Sequence, residues 1–181
     1  MDLSTDPVVG LTSRLLLLLI FGSAVAGKLI APQKFTAVMR DYRLLPEAMA
    51  PAAALMVILL ETFTVIGIWW PATRLWAALV AVMLLVVYSV AIAINVRRGR
   101  LSIDCGCSWG TSRQRLSSML CVRNALFVVP CAVAGLPTTS GLDVIGTASS
   151  LLGAVALGLC YQVWNVVAAN RPRVLQLKGP Q

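Results

Sequence analysis

Five stretches of this chain are almost wholly apolar, and polar connections of unequal length separate them. A hydrocarbon layer roughly 30 Å thick requires about 20 such residues in helical form. Backbone polar groups in lipid must also pair within their own segment, so each stretch predicts a helix. The first runs from about Leu11 to Ala31, with Arg14 and Lys28 near its ends, where long side chains can snorkel. The second, Met49 to Trp70, holds a single charge, Glu61, and the third, Leu75 to Val96, holds none. The fourth, about Leu120 to Ser140, is interrupted by Arg123, Pro130 and Pro137, whereas the fifth, Thr147 to Ala169, is clean. Within the fifth, Ala154 and Gly158 form a small-xxx-small pair of the kind that marks helix packing. Trp69, Trp70, Trp76 and Trp109 fall at segment ends, where amphipathic rings settle.

The connections predicted are a medium loop over Pro32 to Ala48, a tight turn over Pro71 to Arg74, a long polar loop from Arg97 to Met119, and a short link near Pro137 to Gly146. No repeat or soluble domain interrupts the pattern. Composition agrees: 59% of the 181 residues are hydrophobic and 12% charged, with a mean hydropathy of +0.85. A soluble domain carries about 25% charged residues, so these numbers exclude one. The fold class is therefore an all-α membrane bundle of four to five transmembrane helices.

The net charge is +8 and histidine is absent. The basic residues are scattered over short inter-helix segments, which argues for membrane topology and against a nucleic-acid surface. Segments following the first, third and fifth helices hold 13 of the 15 Lys and Arg residues, leaving Arg14 and Arg74. The positive-inside rule then places the C-terminus and the Arg97 to Met119 loop in the cytosol. Ala24-Val25-Ala26 has the look of a signal-peptide cleavage site, but Asp2 and Asp6 precede Arg14 and argue against one.

Without histidine, chemistry falls to thiols and carboxylates. Asp104-Cys105-Gly106-Cys107 lies in the long polar loop. Two thiols one residue apart close only a small, strained ring, and a strained disulfide passes its oxidation on. The glycine between them tolerates the backbone angles such a ring needs. Arg97, Arg98 and Arg100 favour the reactive thiolate, while Asp104 opposes them or accepts a thiol proton. Cys121, at the start of the fourth helix, is a candidate resolving thiol. Cys131 and Cys160 read as packing residues. Zinc on Cys105, Cys107 and Cys121 lacks a fourth ligand, so no metal is assigned. Glu61, deep in the second helix, is a functional candidate by its cost alone. It suits a proton acceptor or a hydrogen-bond partner for a quinone-like cofactor. Alternatively it ties helices together through Asn95, Gln162 or Asn165. Lys28 reads as a poor partner for it, being much nearer the membrane surface.

Taken in order, several strings resemble a known family: Ala26-Gly27-Lys28, Phe35, Tyr42-Arg43-Leu44-Leu45-Pro46, Glu61, Arg97-Arg98-Gly99-Arg100, Asp104-Cys105-Gly106-Cys107 with Gly110, and Arg123-Asn124. They resemble the methylamine-utilisation membrane protein family MauE, within the wider DoxX-like group, over about residues 14 to 135. Ser108-Trp109 departs from the aromatic expected directly after the second cysteine, and Cys121 is additional. The resemblance implies one integral membrane domain over residues 1–181. It implies a plasma-membrane protein that helps mature the disulfide-rich small subunit of methylamine dehydrogenase, beside a thioredoxin-like partner. It also implies Cys105 and Cys107 as the exchanging pair. The helical core is similar, by analogy, to membrane disulfide enzymes of the vitamin K epoxide reductase type. An extracytoplasmic client wants those thiols outside, while the charge count puts their loop inside. A re-entrant loop, a cleaved first segment or outward transfer of reducing equivalents would each reconcile the two. Competing classes are a non-catalytic maturation scaffold docked by its basic loop, and a small transporter built around Glu61. Five helices without an inverted repeat disfavour the transporter.

Overall fold

The computed structural model describes residues 4–101, 103, 116–139 and 141–177, the last with side chains as far as 168 and at 170. Six α-helices make up the described chain: α1 (Pro7–Ile30), α2 (Pro32–Tyr42), α3 (Ala50–Gly67), α4 (Pro71–Arg97), α5 (Ser118–Ala134) and α6 (Val144–Leu177). Four segments are long and apolar enough to cross a membrane: Pro7–Ile30, Glu47–Gly67, Pro71–Arg97 and Val144–Ala168. The fifth apolar helix, α5, is shorter. The protein is a multi-pass membrane protein, and bulky residues exposed along α6, such as Leu152, Leu159 and Val163, fit a lipid-facing surface.

Helix ends follow local chemistry. The Asp6 carboxylate accepts from the N–H groups of Val8 and Val9 at 2.8 and 3.3 Å, and Pro7 takes the first helical position, so α1 begins before the apolar run does. Pro32 stops it, because proline disfavours helical geometry in the residue before it. The medium loop expected over Pro32 to Ala48 is instead mostly helix. In α2, Phe35, Val38 and Tyr42 are buried while Lys34, Arg40 and Asp41 are exposed, a one-faced pattern at helical spacing. The helix ends on Arg43, whose φ of 46° is the left-handed cap conformation. At the tight turn between α3 and α4, the Thr73 hydroxyl donates to the Gly67 carbonyl (2.7 Å) and Arg74 Nε donates to the Ile68 carbonyl (3.3 Å).

The expected fourth helix overran. α5 closes at Ala134, where Gly135 lies so near α4 that a Cβ on it would come within 2.6 Å of Ala78 Cβ. Arg14 does not snorkel. It is buried, and its guanidinium donates to the carbonyls of Ala134 (3.2 Å) and Leu136 (3.1 Å), capping the C-terminal end of α5 with a cation. Thr5 adds main-chain bonds to Pro137 and Thr139 that fasten the N-terminus to the α5–α6 link.

Helices α1, α3, α4 and α5 form a four-helix core, α1 touching both α3 and α5 while α4 closes the other side. Leu17, Phe21, Ile68, Ala81, Leu84 and Cys131 lie in its largest apolar cluster. α6 packs on the outside of α1, running parallel to it: the Ser150 hydroxyl donates to the Val8 carbonyl (3.2 Å), Ala154 is buried, and Gly158 lies against Leu19. The small-xxx-small pair thus does the packing its spacing predicted. The C-terminal ends of α1 and α4, the N-terminal ends of α3 and α5, and α2 share one end of the bundle, with Arg98 reaching the Arg43 carbonyl across it.

Candidate functional site

A buried charge pair lies inside the bundle. Glu61, on α3, is 1% exposed, and Lys28, on α1, is 3% exposed. The Lys28 ammonium donates to both Glu61 oxygens, at 2.5 and 2.6 Å, and the Tyr88 hydroxyl on α4 donates to Glu61 Oε1 at 2.6 Å. The same ammonium lies 4.9 Å from the ring centre of Phe35 on α2 and 5.6 Å from that of Tyr88. Four helices therefore contribute to one polar centre, and the rings add cation–π attraction in a place with little water.

The pairing corrects the expectation that Lys28 stands too near the surface to meet Glu61. Side chains lean toward the N-terminus of their own helix. Lys28, near the C-terminal end of α1, therefore leans inward. Glu61 leans outward along antiparallel α3, and the two converge. Helix α2 then lies over the ammonium through Phe35, so no route to water is needed. The other proposed partners are engaged elsewhere: the Asn95 amide donates to the Ala91 carbonyl (3.1 Å), and Asn165 bonds Arg123 and Gln162. Two signals were present for the missed partners. Lys28 is seven residues after buried Phe21 and fourteen after buried Arg14, and Tyr88 falls on the buried stripe of Ala81, Leu84, Leu85, Ile92 and Asn95.

Two cavities flank this centre. One, about 240 Å³, lies between α2, α3 and α4; Lys28 and Tyr88 supply its polar end, and Phe35, Tyr42, Ala53, Val57 and Ile92 are among its walls. On the other side Glu61 and Tyr88 border a water-sized space of about 30 Å³ that Arg123 and Asn124 close. Arg123 is also buried, not a loop charge. It donates to Asn124 Oδ1 (3.0 Å) and Asn165 Oδ1 (2.6 Å) and lies 5.1 Å from the ring of Tyr161, which in turn meets Phe127 edge-on. Removing Lys28 and Arg123 from 13, and Arg14 from 2, leaves eleven basic residues against one, so the asymmetry survives. Because Arg123 and Tyr161 carry much of the contact between α5 and α6, Arg123→Met is expected to lower stability by about 1–2 kcal/mol. Thermal unfolding in detergent, compared with a Val122→Ala control on the exposed face of α5, checks it.

The cysteines divide. Cys105 and Cys107 lie outside the described residues. Cys121 is half-buried on α5, its thiol directed at the Ser89 carbonyl of α4 (3.5 Å). Cys131 is buried in the core and Cys160 is exposed on α6. The segment with the pair is bounded by Ile103 and Leu116, and the Leu116 N–H donates to the Ile103 carbonyl at 3.3 Å. Both residues pack with Tyr42, Ile92, Leu120 and Cys121, so the two ends of that segment meet at one point, close to Cys121.

The sequence matches the family profile described as Methylamine utilisation protein MauE over residues 6–137. The chain belongs to the MauE family. It is 42% identical to the methylamine utilization protein MauE of Methylorubrum extorquens over 69% of this chain and 67% of that protein. It is 34% identical to the MauE protein of Paracoccus denitrificans over 88% of this chain and 87% of the relative. The MauE protein of Paracoccus versutus is 33% identical over 96% of each. No solved structure matches. The MauE profile spans α1 to α5 and therefore the charge pair, the 240 Å³ cavity and the cysteine loop, and it ends before α6, which contributes Tyr161 to the smaller space.

Proposed function

We propose that this MauE-family protein is a thiol–disulfide redox factor of methylamine utilisation. It supports disulfide formation in an extracytoplasmic client of the methylamine dehydrogenase small-subunit type, together with a thioredoxin-like partner. Cys105 and Cys107 exchange with that partner, and Cys121 serves as the resolving thiol. The observation that carries this reading is the Cys-Gly-Cys string on a loop whose two ends meet beside Cys121. Exchange through a mixed disulfide requires thiols within reach of one another, and the ends of the segment that carries the pair are held beside Cys121. Membership of a family named for methylamine utilisation supports the client class.

The setting is the bacterial plasma membrane, with the eleven-to-one basic asymmetry directing the C-terminus to the cytosol. Exchange with a client outside then requires the loop to return into the bundle, so that electrons released by the client's thiols pass inward through the partner to Cys105 and Cys107. Thiol trapping in sealed vesicles tests the proposal. Cys105 and Cys107 are expected to change together between maleimide-reactive and protected forms when the membrane is reduced and reoxidised, while Cys131 stays protected throughout. A pair that remains reactive under both conditions contradicts the redox role.

A further inference from the structure

The 240 Å³ crevice between α2, α3 and α4 has a chemistry of its own. Its mouth is formed by Leu44, Leu45, Met56 and Val87, all exposed, the last two on membrane-spanning helices, so it opens toward lipid. Its walls are mostly apolar, and Lys28, Tyr42 and Tyr88 are the lining residues with polar groups; the Lys28 ammonium lies 4.9 Å from the ring centre of Phe35, which also lines the crevice. A cavity of about 150 Å³ accommodates benzene, so this one holds a substituted six-membered ring with the first carbons of a tail. The polar end is balanced, because the Lys28 charge is met by Glu61. A phosphate headgroup needs an uncompensated cation, whereas a neutral carbonyl or hydroxyl head needs donors and an acceptor. Lys28 has three N–H donors and the Tyr88 oxygen can accept.

We propose that this crevice binds the ring of a lipid-soluble quinone or its hydroquinone, with Lys28 and Tyr88 holding one ring oxygen. The opening into lipid selects an apolar ligand, and the polar end selects one whose head exchanges protons. Tyr88 lines both the crevice and the water-sized space beyond, which Glu61 also borders. Tyr42 and Ile92 line the crevice and also pack in the cluster that holds Ile103, Leu116 and Cys121, so the crevice adjoins the residues that bound the cysteine segment. The redox role of the ligand rests on the thiol reading above; ring binding does not. Oxidising the Cys105–Cys107 dithiol to a disulfide releases two electrons and two protons. Reducing one quinone to hydroquinone takes up the same two of each, so the step balances without another reactant.

Titration calorimetry of decylubiquinone into the purified protein in detergent tests the site. Saturable one-to-one binding is expected. Ala53→Trp, which fills the crevice without touching the charge pair, should abolish it. Tyr88→Phe, which removes one hydrogen-bonding group, should weaken it about three- to tenfold. The double variant Cys105→Ser/Cys107→Ser should bind like the native protein, so loss of the thiol function and loss of the quinone site are read separately. Three results overturn the proposal: no saturable binding to the native protein, displacement by an equal concentration of phosphatidylglycerol, or native affinity in Tyr88→Phe. The last decides the matter even where Ala53→Trp fails to fold.

Discussion

Glu61→Ala is expected to lower the unfolding free energy by about 3–5 kcal/mol, the cost of leaving a buried charge without its partner. The geometry explains the size. Lys28 directs two N–H groups at Glu61 and is 3% exposed under Phe35, so removing the carboxylate leaves a buried ammonium without its anion. Tyr88 loses its acceptor in the same substitution. Replacing both members, as Lys28→Met with Glu61→Leu, should recover most of the loss, because an apolar pair of similar volume carries no desolvation penalty. Denaturant unfolding in detergent, run as a double-mutant cycle over the two positions, measures the coupling. Additive losses from the two single changes would show that the pair does not act as a unit.

The recovered stability has a functional corollary. A Lys28→Met/Glu61→Leu protein should keep its fold but lose the charge pair beside the crevice. If the centre were there only to join helices, that protein would work normally. Loss of client maturation in a well-folded double variant separates a working charge pair from a structural one.

Much of this architecture was legible in the sequence because lipid removes alternatives. A run such as Leu75 to Val96 has one stable form in hydrocarbon, and α4 contains it. Harder to see was anything that depended on which face of a helix a charge occupies. Arg14 and Lys28 were read as residues near segment ends, free to reach the headgroups, and Arg123 was counted with the inter-helix charges, yet all three are buried and serve neighbouring helices. Their partners are carbonyls, a carboxylate and amides brought from distant positions, and no local pattern specifies those. Helix α2 was hidden for a different reason. Its average polarity is that of a loop, and only the spacing of Phe35, Val38, Met39 and Tyr42 gives it away. The end of α5 was misplaced because the apolar run continues past Ala134, whereas tertiary contacts from Gly135 and Arg14 decide where the helix stops. Glu61 was found from its depth, and its partners were not.

The second large effect concerns the thiols. Changing Cys105 and Cys107 together to serine removes both sulfurs while keeping the loop's size and polarity, and the anchoring residues Ile103, Leu116 and Leu120 are untouched. The bundle should therefore fold and accumulate as before, since packing at the loop base is unchanged. What should vanish is exchange, because a hydroxyl does not form a mixed disulfide under these conditions. Cys131→Ser is the matched control, a thiol lost from the core without loss of exchange. Cys121→Ser should fall between them, slowing release of a trapped partner and prolonging the mixed disulfide.

The most direct measurement follows the client. In cells expressing the protein with the proposed thioredoxin-like partner, alkylation-shift gels report how fast the proposed client, the methylamine dehydrogenase small subunit, gains its disulfides. With Cys105→Ser/Cys107→Ser in place of the native protein, the subunit should accumulate with unpaired thiols and stay immature. Client disulfides forming at the native rate in that strain would contradict a redox role for the pair.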